Sequence, residues 1–290
     1  MRKVSAVIIT YNEASIIHKT LGQLWWCDEI VIVDSFSTDA TVQICKQYNC
    51  KIFQRVFNGY GDQKRFAIKQ ASNDWVLCID ADEVISNKLV DELLETSRHP
   101  VSCDGYEIPM NLVFRGHEFK YGKESNCYFM RLFNRKAGYI TNDKVHERIV
   151  VKGKTKKMKH PILHYSYADT HHYYSKFNQY TTYGAEQNFL KNKQRSTLLI
   201  ICSVPLYFFK YYILERNFLN GINGFYWSMF SAWYHFVKYI KLHDLQQLPE
   251  RQLNSSAARQ PAALPELSNT ALNEQNKFSL FNPKHLPGKN

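Results

Sequence analysis

Asp80, Ala81, Asp82 and Glu83 follow directly on an apolar run, Val76 to Ile79. Two carboxylates one residue apart offer hard oxygen ligands to a divalent cation. Mg2+ held by one or two carboxylates usually shares its shell with substrate phosphates. A structural reading competes: carboxylates are favoured near a helix N-terminus, and Ser86 can cap a helix starting just beyond. Two further polar clusters end apolar runs in the same way. Thr10-Tyr11-Asn12-Glu13 follows Val4 to Ile9, and Asp34-Ser35-Phe36-Ser37-Thr38-Asp39 follows Ile30 to Val33.

The three apolar runs have the length and continuity of strands buried on both faces. A helix with Ile17, Leu21 and Leu24 on one side separates the first two. After the second, Ser37 or Thr38 can cap a helix carrying Val42 and Cys45. Lys51 to Val56 reads as a short strand, Asn58-Gly59-Tyr60-Gly61 as a turn, and Gln63 to Gln70 as a helix. This alternation, over roughly the first 95 residues, predicts a parallel, doubly wound sheet. In such a sheet the strands' carboxyl ends share one edge, where ligands bind. Three polar clusters meeting there make a site rather than three unrelated turns.

The whole chain has 290 residues, 44% of them hydrophobic, which is enough for a proper core and excludes a disordered protein. A formal charge of +11 calls for an anionic partner: nucleic acid, nucleotide or anionic lipid. The seven Cys include no Cys-x-x-Cys pair and read as core residues in a reducing compartment. The N-terminal apolar run stops at Thr10, too short for a signal peptide, so a cytoplasmic location is expected.

Val-Ile-Ile-Thr-Tyr-Asn-Glu, Val-Asp-Ser-Phe-Ser-Thr-Asp and Ile-Asp-Ala-Asp-Glu, at these spacings, resemble the family 2 inverting glycosyltransferases. The resemblance covers residues 1–97. It implies the GT-A fold, a Rossmann-like, mostly parallel α/β sheet with flanking helices. It also implies a nucleotide-diphospho-sugar donor, typically UDP-linked. Tyr11 and Asp34 would lie against the base, Asp80 against the ribose and sugar, and Asp82 would bind Mn2+ or Mg2+. Thr10, Asn12, Glu13, Gln63, Arg65 and Ala81 complete the expected donor contacts. Many members carry a second Asp where this chain has Ser35, so the base contact rests on Asp34.

Beyond residue 100, Tyr106 to Phe114 and Tyr128 to Phe133 read as strands. An Arg-Leu-Phe strand, a Val-His-Glu segment and Leu-His-Tyr-Ser follow in order. They resemble the branch containing the lipopolysaccharide core β-1,4-glucosyltransferases, which add glucose to an inner-core heptose. Inverting transfer needs one general base for the acceptor hydroxyl. Glu147 is the expected base, with Asp143 the alternative. His146 or His164 could complete the metal shell, although a lone His is more often structural. The five Lys of residues 152–159 suit either a solvated hairpin or anionic ligands.

Two aromatic-rich stripes follow, one on Leu199, Cys202, Leu206, Phe209 and Ile213, the other on Tyr226, Phe230, Trp233, Val237 and Ile240. With Lys210, Arg216, Lys238 and Lys241 beside them, they predict helices at an anionic membrane interface. Packing on the catalytic domain or in a dimer would produce the same stripes. The expected organisation is 1–100 nucleotide-sugar-binding half, 101–195 acceptor and catalytic half, 196–244 membrane-associating helices, and 245–290 disordered tail. The expected partners are a UDP-sugar and a lipid-linked saccharide at the inner membrane face, with no nucleic acid. Polyprenyl phosphate or another polysaccharide precursor is the alternative acceptor. A basic nucleic-acid-binding module is the alternative from another class, but it leaves Asp80 and Asp82 without a purpose.

Overall fold

Seven consecutive buried residues make the central strand β1 (Val4–Thr10). The structure is a computed structural model and describes residues 2–100, 102–141, 148–167 and 170–247. After β1 come α1 (Ile17–Gly22), β2 (Glu29–Asp34), α2 (Thr41–Lys46), β3 (Lys51–Gln54), α3 (Tyr60–Gln70) and β4 (Trp75–Asp80). These four strands are parallel, in the order β3-β2-β1-β4. Alternate residues of each strand serve opposite faces. Ala6, Ile8, Ile32 and Leu77 pack with Ile17 and Leu21 of α1, whereas Val7, Val31, Val33 and Val76 pack with Ala67 of α3. An apolar run without polar interruption is what a sheet covered on both faces requires.

The sheet continues through β5 (Glu83–Ile85), α4 (Asn87–Arg98), β6 (Gly105–Phe114), β7 (His117–Glu118) and β8 (Cys127–Asn134). Then come β9 (Gly138–Ile140), β10 (Ile149–Val151), β11 (Thr155–Lys157) and β12 (Ile162–Tyr167). β8 lies antiparallel to β4, and the order runs on as β8-β6-β12-β5. The expected parallel sheet is therefore confined to β1–β4, and the antiparallel strands beyond β4 make the whole sheet mixed. Ser86 caps α4, accepting from Leu89 N at 3.3 Å, as its position predicts. Two local expectations change. Tyr60 and Gly61 already belong to α3, which starts from Gly59 at φ 119°. Neither Ser37 nor Thr38 caps α2; Asp39 Oδ1 takes the Thr41 N–H at 2.9 Å instead.

Chain contacts divide the protein into two units, 1–118 with 124–166, and 119–123 with 167–290. The boundary after Ser166 groups α5 (Thr170–Leu190) with the C-terminal helices. These are α6 (Thr197–Ile201), α7 (Ser203–Phe209), a π turn at Lys210–Leu214, a 3-10 turn at Asn217–Asn220, and α8 (Gly221–Gln247). Phe230 of α8 stacks on Tyr173 of α5 with ring centroids 4.8 Å apart. Part of the second aromatic stripe is thus spent on packing. Among the described residues no helix is long and apolar enough to cross a membrane.

Candidate active site

The strand register puts the polar clusters side by side: Thr10 pairs with Asp34, and Ile9 with Asp80. Two loops beyond this edge are stitched together. Asn12 N donates to Ser37 Oγ at 2.9 Å, and Thr38 N to Asn12 Oδ1 at 2.8 Å. Glu13 N donates to Thr41 Oγ1 at 2.8 Å, and Ala14 N to Asp39 Oδ2 at 3.0 Å. Burial works against the charge on Asp39, but bonds from the Thr41 hydroxyl and N–H and from Ala14 hold its carboxyl below the ordinary value. Asp34 is fully buried and accepts from Ser37 N at 3.0 Å, from the Ser37 hydroxyl and from Gln54 Nε2 at 3.2 Å. Asn12 and Phe36 adopt positive φ, 52° and 61°. For the half-exposed Phe36 that conformation is a strain, of the kind that collects at functional sites.

Asp80 is the centre of a buried charge quartet. Lys64 Nζ lies 3.0 Å from Asp80 Oδ1, and Arg131 Nη2 lies 3.9 Å from Asp80 Oδ2. Arg131 also meets Glu83 Oε1 at 2.6 Å, while Glu83 Oε2 accepts from Asp80 N at 3.0 Å. Burial disfavours the Arg131 guanidinium, yet Glu83 and Asp80 outweigh it and raise its pKa. Glu83 thereby pins the turn that carries Ala81 and Asp82. Ala81 contributes its carbonyl, which accepts from Thr20 Oγ1 at 2.7 Å.

Asp82 faces a different partner. Its Oδ2 lies 3.1 Å from His164 Nε2, and the Ser166 hydroxyl is 2.9 Å from the same ring. Tyr165 N donates to the Asp82 carbonyl at 2.9 Å, which fixes β12 against the turn. Asp82 and His164 are both more than nine-tenths buried. A carboxylate oxygen and an imidazole nitrogen about 3 Å apart suit adjacent positions on one octahedral ion with arms of about 2.1 Å. Among the described residues no group of three or more His, Cys, Asp or Glu could hold a metal ion. Two protein ligands fit an ion that takes the rest of its shell from a ligand.

Residues 5–150 match the sequence profile described as glycosyl transferase family 2. The chain belongs to that family. A Rickettsia felis protein named as an uncharacterized glycosyltransferase is 31% identical over 258 residues, covering 84% of this chain and 90% of its own. The lipopolysaccharide core biosynthesis glycosyltransferase LpsC of Rhizobium meliloti is also 31% identical over 258 residues, covering 86% and 94%. Among solved structures, S. aureus TarS 1–349 aligns at 18% identity and TM-score 0.42, over 84% of this chain and 91% of that one.

In this family 2 enzyme the structure brings Thr10, Asn12, Glu13, Asp34, Asp80, Ala81 and Asp82 to one sheet edge. Tyr11 lies half-buried in the first loop. Gln63 joins them, its amide donating to Ser35 Oγ at 3.1 Å. Arg65 turns elsewhere, donating to the Thr141 carbonyl at 3.0 Å. Glu147, Asp143 and His146 lie outside the described residues. Lys64 and Arg131 are the site residues that the sequence reading missed. Lys64 was detectable, because it shares the inward face of α3 with Tyr60, Gln63 and Ala67. Arg131 stands in the Arg-Leu-Phe strand that carries the resemblance, but its role could not be read there, since it reaches Glu83 across 48 positions.

Proposed function

We propose that this glycosyltransferase moves glucose, with inversion, from UDP-glucose to a heptose of the lipopolysaccharide inner core. The observation that carries the reading is the Asp82–His164 pair set at the same edge as Thr10 and Asp34. Asp34 and the two laced loops form the floor for the base and ribose. Lys64 neutralises Asp80, so that this carboxylate can accept sugar or ribose hydroxyls. Asp82 and His164 would hold Mn2+ or Mg2+, which when bound offsets the charge of the departing diphosphate. Glu147 takes the acceptor proton as the new C–O bond forms. The anomeric C–O bond breaks and its electron pair leaves with UDP. An acceptor in the lipopolysaccharide core is supported by the name of the Rhizobium relative, and heptose by the resemblance of the second half alone. Such an acceptor is lipid-linked and places the enzyme at the inner membrane face.

Thermal unfolding with a panel of UDP-sugars, each with and without Mn2+, tests the donor. UDP-glucose at ~100 times its Kd should add about 2.7 kcal/mol of stability. Mn2+ binding in the presence of UDP, read by electron paramagnetic resonance, should vanish in Asp82→Ala and weaken in His164→Ala. Transfer rates equal in EDTA and in Mn2+ would overturn the metal assignment.

A further inference from the structure

In the helical unit the segment from α6 to the start of α8 turns its large apolar side chains outward. Leu206, Phe209 and Leu214 are 58%, 54% and 65% exposed, and Phe218, Leu219 and Ile222 continue the face through the 3-10 turn. The exposure follows from a rigid scaffold. Tyr207 lies flat on His235 at 3.6 Å, and the Tyr211 hydroxyl meets His235 Nε2 at 2.8 Å. Asn217 Nδ2 donates to the Tyr211 carbonyl at 3.1 Å. Asn220 Oδ1 accepts from Lys120 N and its amide donates to the Tyr121 carbonyl, at 3.1 and 3.0 Å. Gly224 presses against the Asn217 carbonyl so closely that a Cβ there would stand 1.8 Å from the oxygen. The polar and small residues of this hairpin are therefore turned inward, and its apolar ones are held out.

The charges beside the face have one sign. Between Leu190 and Ile222 the cations are Lys191, Lys193, Arg195, Lys210 and Arg216, and the one carboxylate is Glu215. Glu215 is turned in against Lys123 at 3.1 Å, with Lys210 at 4.0 Å, so the segment's own carboxylate is withdrawn while Lys191, Lys193, Arg195 and Arg216 remain beside the face. A protein partner for such a face would have to bring an acidic rim of its own. Apolar side chains flanked by cations alone complement an anionic lipid surface. The helices of this segment are too short to span a bilayer. We infer that residues 198–222 form a preformed wedge that docks in the headgroup layer of an anionic bilayer. The wedge seats its apolar tip, Phe218, Leu219 and Ile222, beneath the phosphates. This deepens the reading of a lipid-linked acceptor and rests on it only for its purpose.

Co-sedimentation of the full chain with phosphatidylethanolamine–phosphatidylglycerol vesicles, against pure phosphatidylcholine vesicles, tests the wedge. Phe218→Ser with Leu219→Ser removes two exposed side chains and should lower partitioning into anionic vesicles by roughly ten-fold or more. Lys191→Gln with Lys193→Gln removes surface charge alone and should weaken it roughly five-fold per residue, with no loss on phosphatidylcholine. Both variants should transfer sugar to a deacylated, water-soluble acceptor at the wild-type rate. Unchanged co-sedimentation of both variants would overturn the inference. So would a wild-type dimer in lipid-free buffer that the serine variant turns into monomer, since the face would then belong to a second copy. A wild type that binds vesicles but transfers nothing to the soluble acceptor would count against the catalytic reading and in favour of the wedge alone.

Discussion

Arg131→Met removes the guanidinium that links Glu83 to Asp80 while keeping most of the side chain's bulk. At an effective dielectric of about 20, the 2.6 Å contact with Glu83 is worth about 6 kcal/mol of gross attraction and the 3.9 Å contact with Asp80 about 4. Burying the guanidinium costs several kcal/mol against that sum. The variant, however, does not merely forgo the difference. It takes the guanidinium away from Glu83, which is fully buried beside Asp80. Breaking a buried pair in this way costs about 3–5 kcal/mol. Urea unfolding at pH 7 should show that loss as a lower midpoint with an unchanged slope. Adding Glu83→Gln should restore about 1–3 kcal/mol, giving a double-mutant coupling of that size. A loss below about 1 kcal/mol for Arg131→Met, or an additive double variant, would refute the view that this quartet holds the turn.

Phe36 gives a comparison of two truncations. Phe36→Gly should be more stable than Phe36→Ala by about 1 kcal/mol, because only glycine is free of cost at φ 61°; an alanine variant at least as stable would refute the strain. Both should weaken UDP binding roughly ten-fold if the half-exposed ring stacks on the base. Burial, with help from Arg195 and Lys193, brings Lys238 down to about 8. The unfolded lysine titrates near 10.4, so between pH ~8 and ~10 the unfolded chain holds the extra proton and stability rises with pH. Lys238→Met should therefore be more stable than wild type at pH 7, with the gap closing by pH 10 in thermal melts. Glu147→Gln should lower kcat by about 10²–10⁴ while UDP affinity stays unchanged. A normal rate there, with Asp143→Asn inactive, would move the base to Asp143.

The strand ends could be read from the sequence because doubly covered strands are unbroken apolar runs, and a run that stops at Thr10, Asp34 or Asp80 marks its own edge. The sequence names His164 as a possible member of the metal shell, but what brings it and Arg131 to the site lies far off in the chain. His164 reaches Asp82 across 82 positions, through the pairing of β12 with β5. Arg131 arrives on β8, whose register against β4 is set by long-range packing. Local periodicity carries no record of either. Ser37 had the right chemistry for a helix cap, but Asp34 and Asn12 compete for it and win. The stripe on α8 shows the same limit. Helical spacing marks Phe230 and Trp233 as one face, yet Phe230 stacks on Tyr173 and Trp233 remains 43% exposed.

The buried quartet also settles how an acidic edge can receive an anion. Lys64 and Arg131 cancel Asp80 and Glu83, so the four groups together project little field beyond their own contacts. Asp82 stands at the border of this cluster: its charge also helps to raise the Arg131 pKa, while its Oδ2 faces His164. A nucleotide diphosphate approaching Asp80 would therefore meet a dipolar surface rather than a like charge. Long-range attraction would have to come from elsewhere on a chain of net charge +11. Ionic strength should accordingly slow the encounter between donor and enzyme while leaving the dissociation rate of the bound nucleotide nearly constant, because screening acts across solvent and not within a sealed cluster.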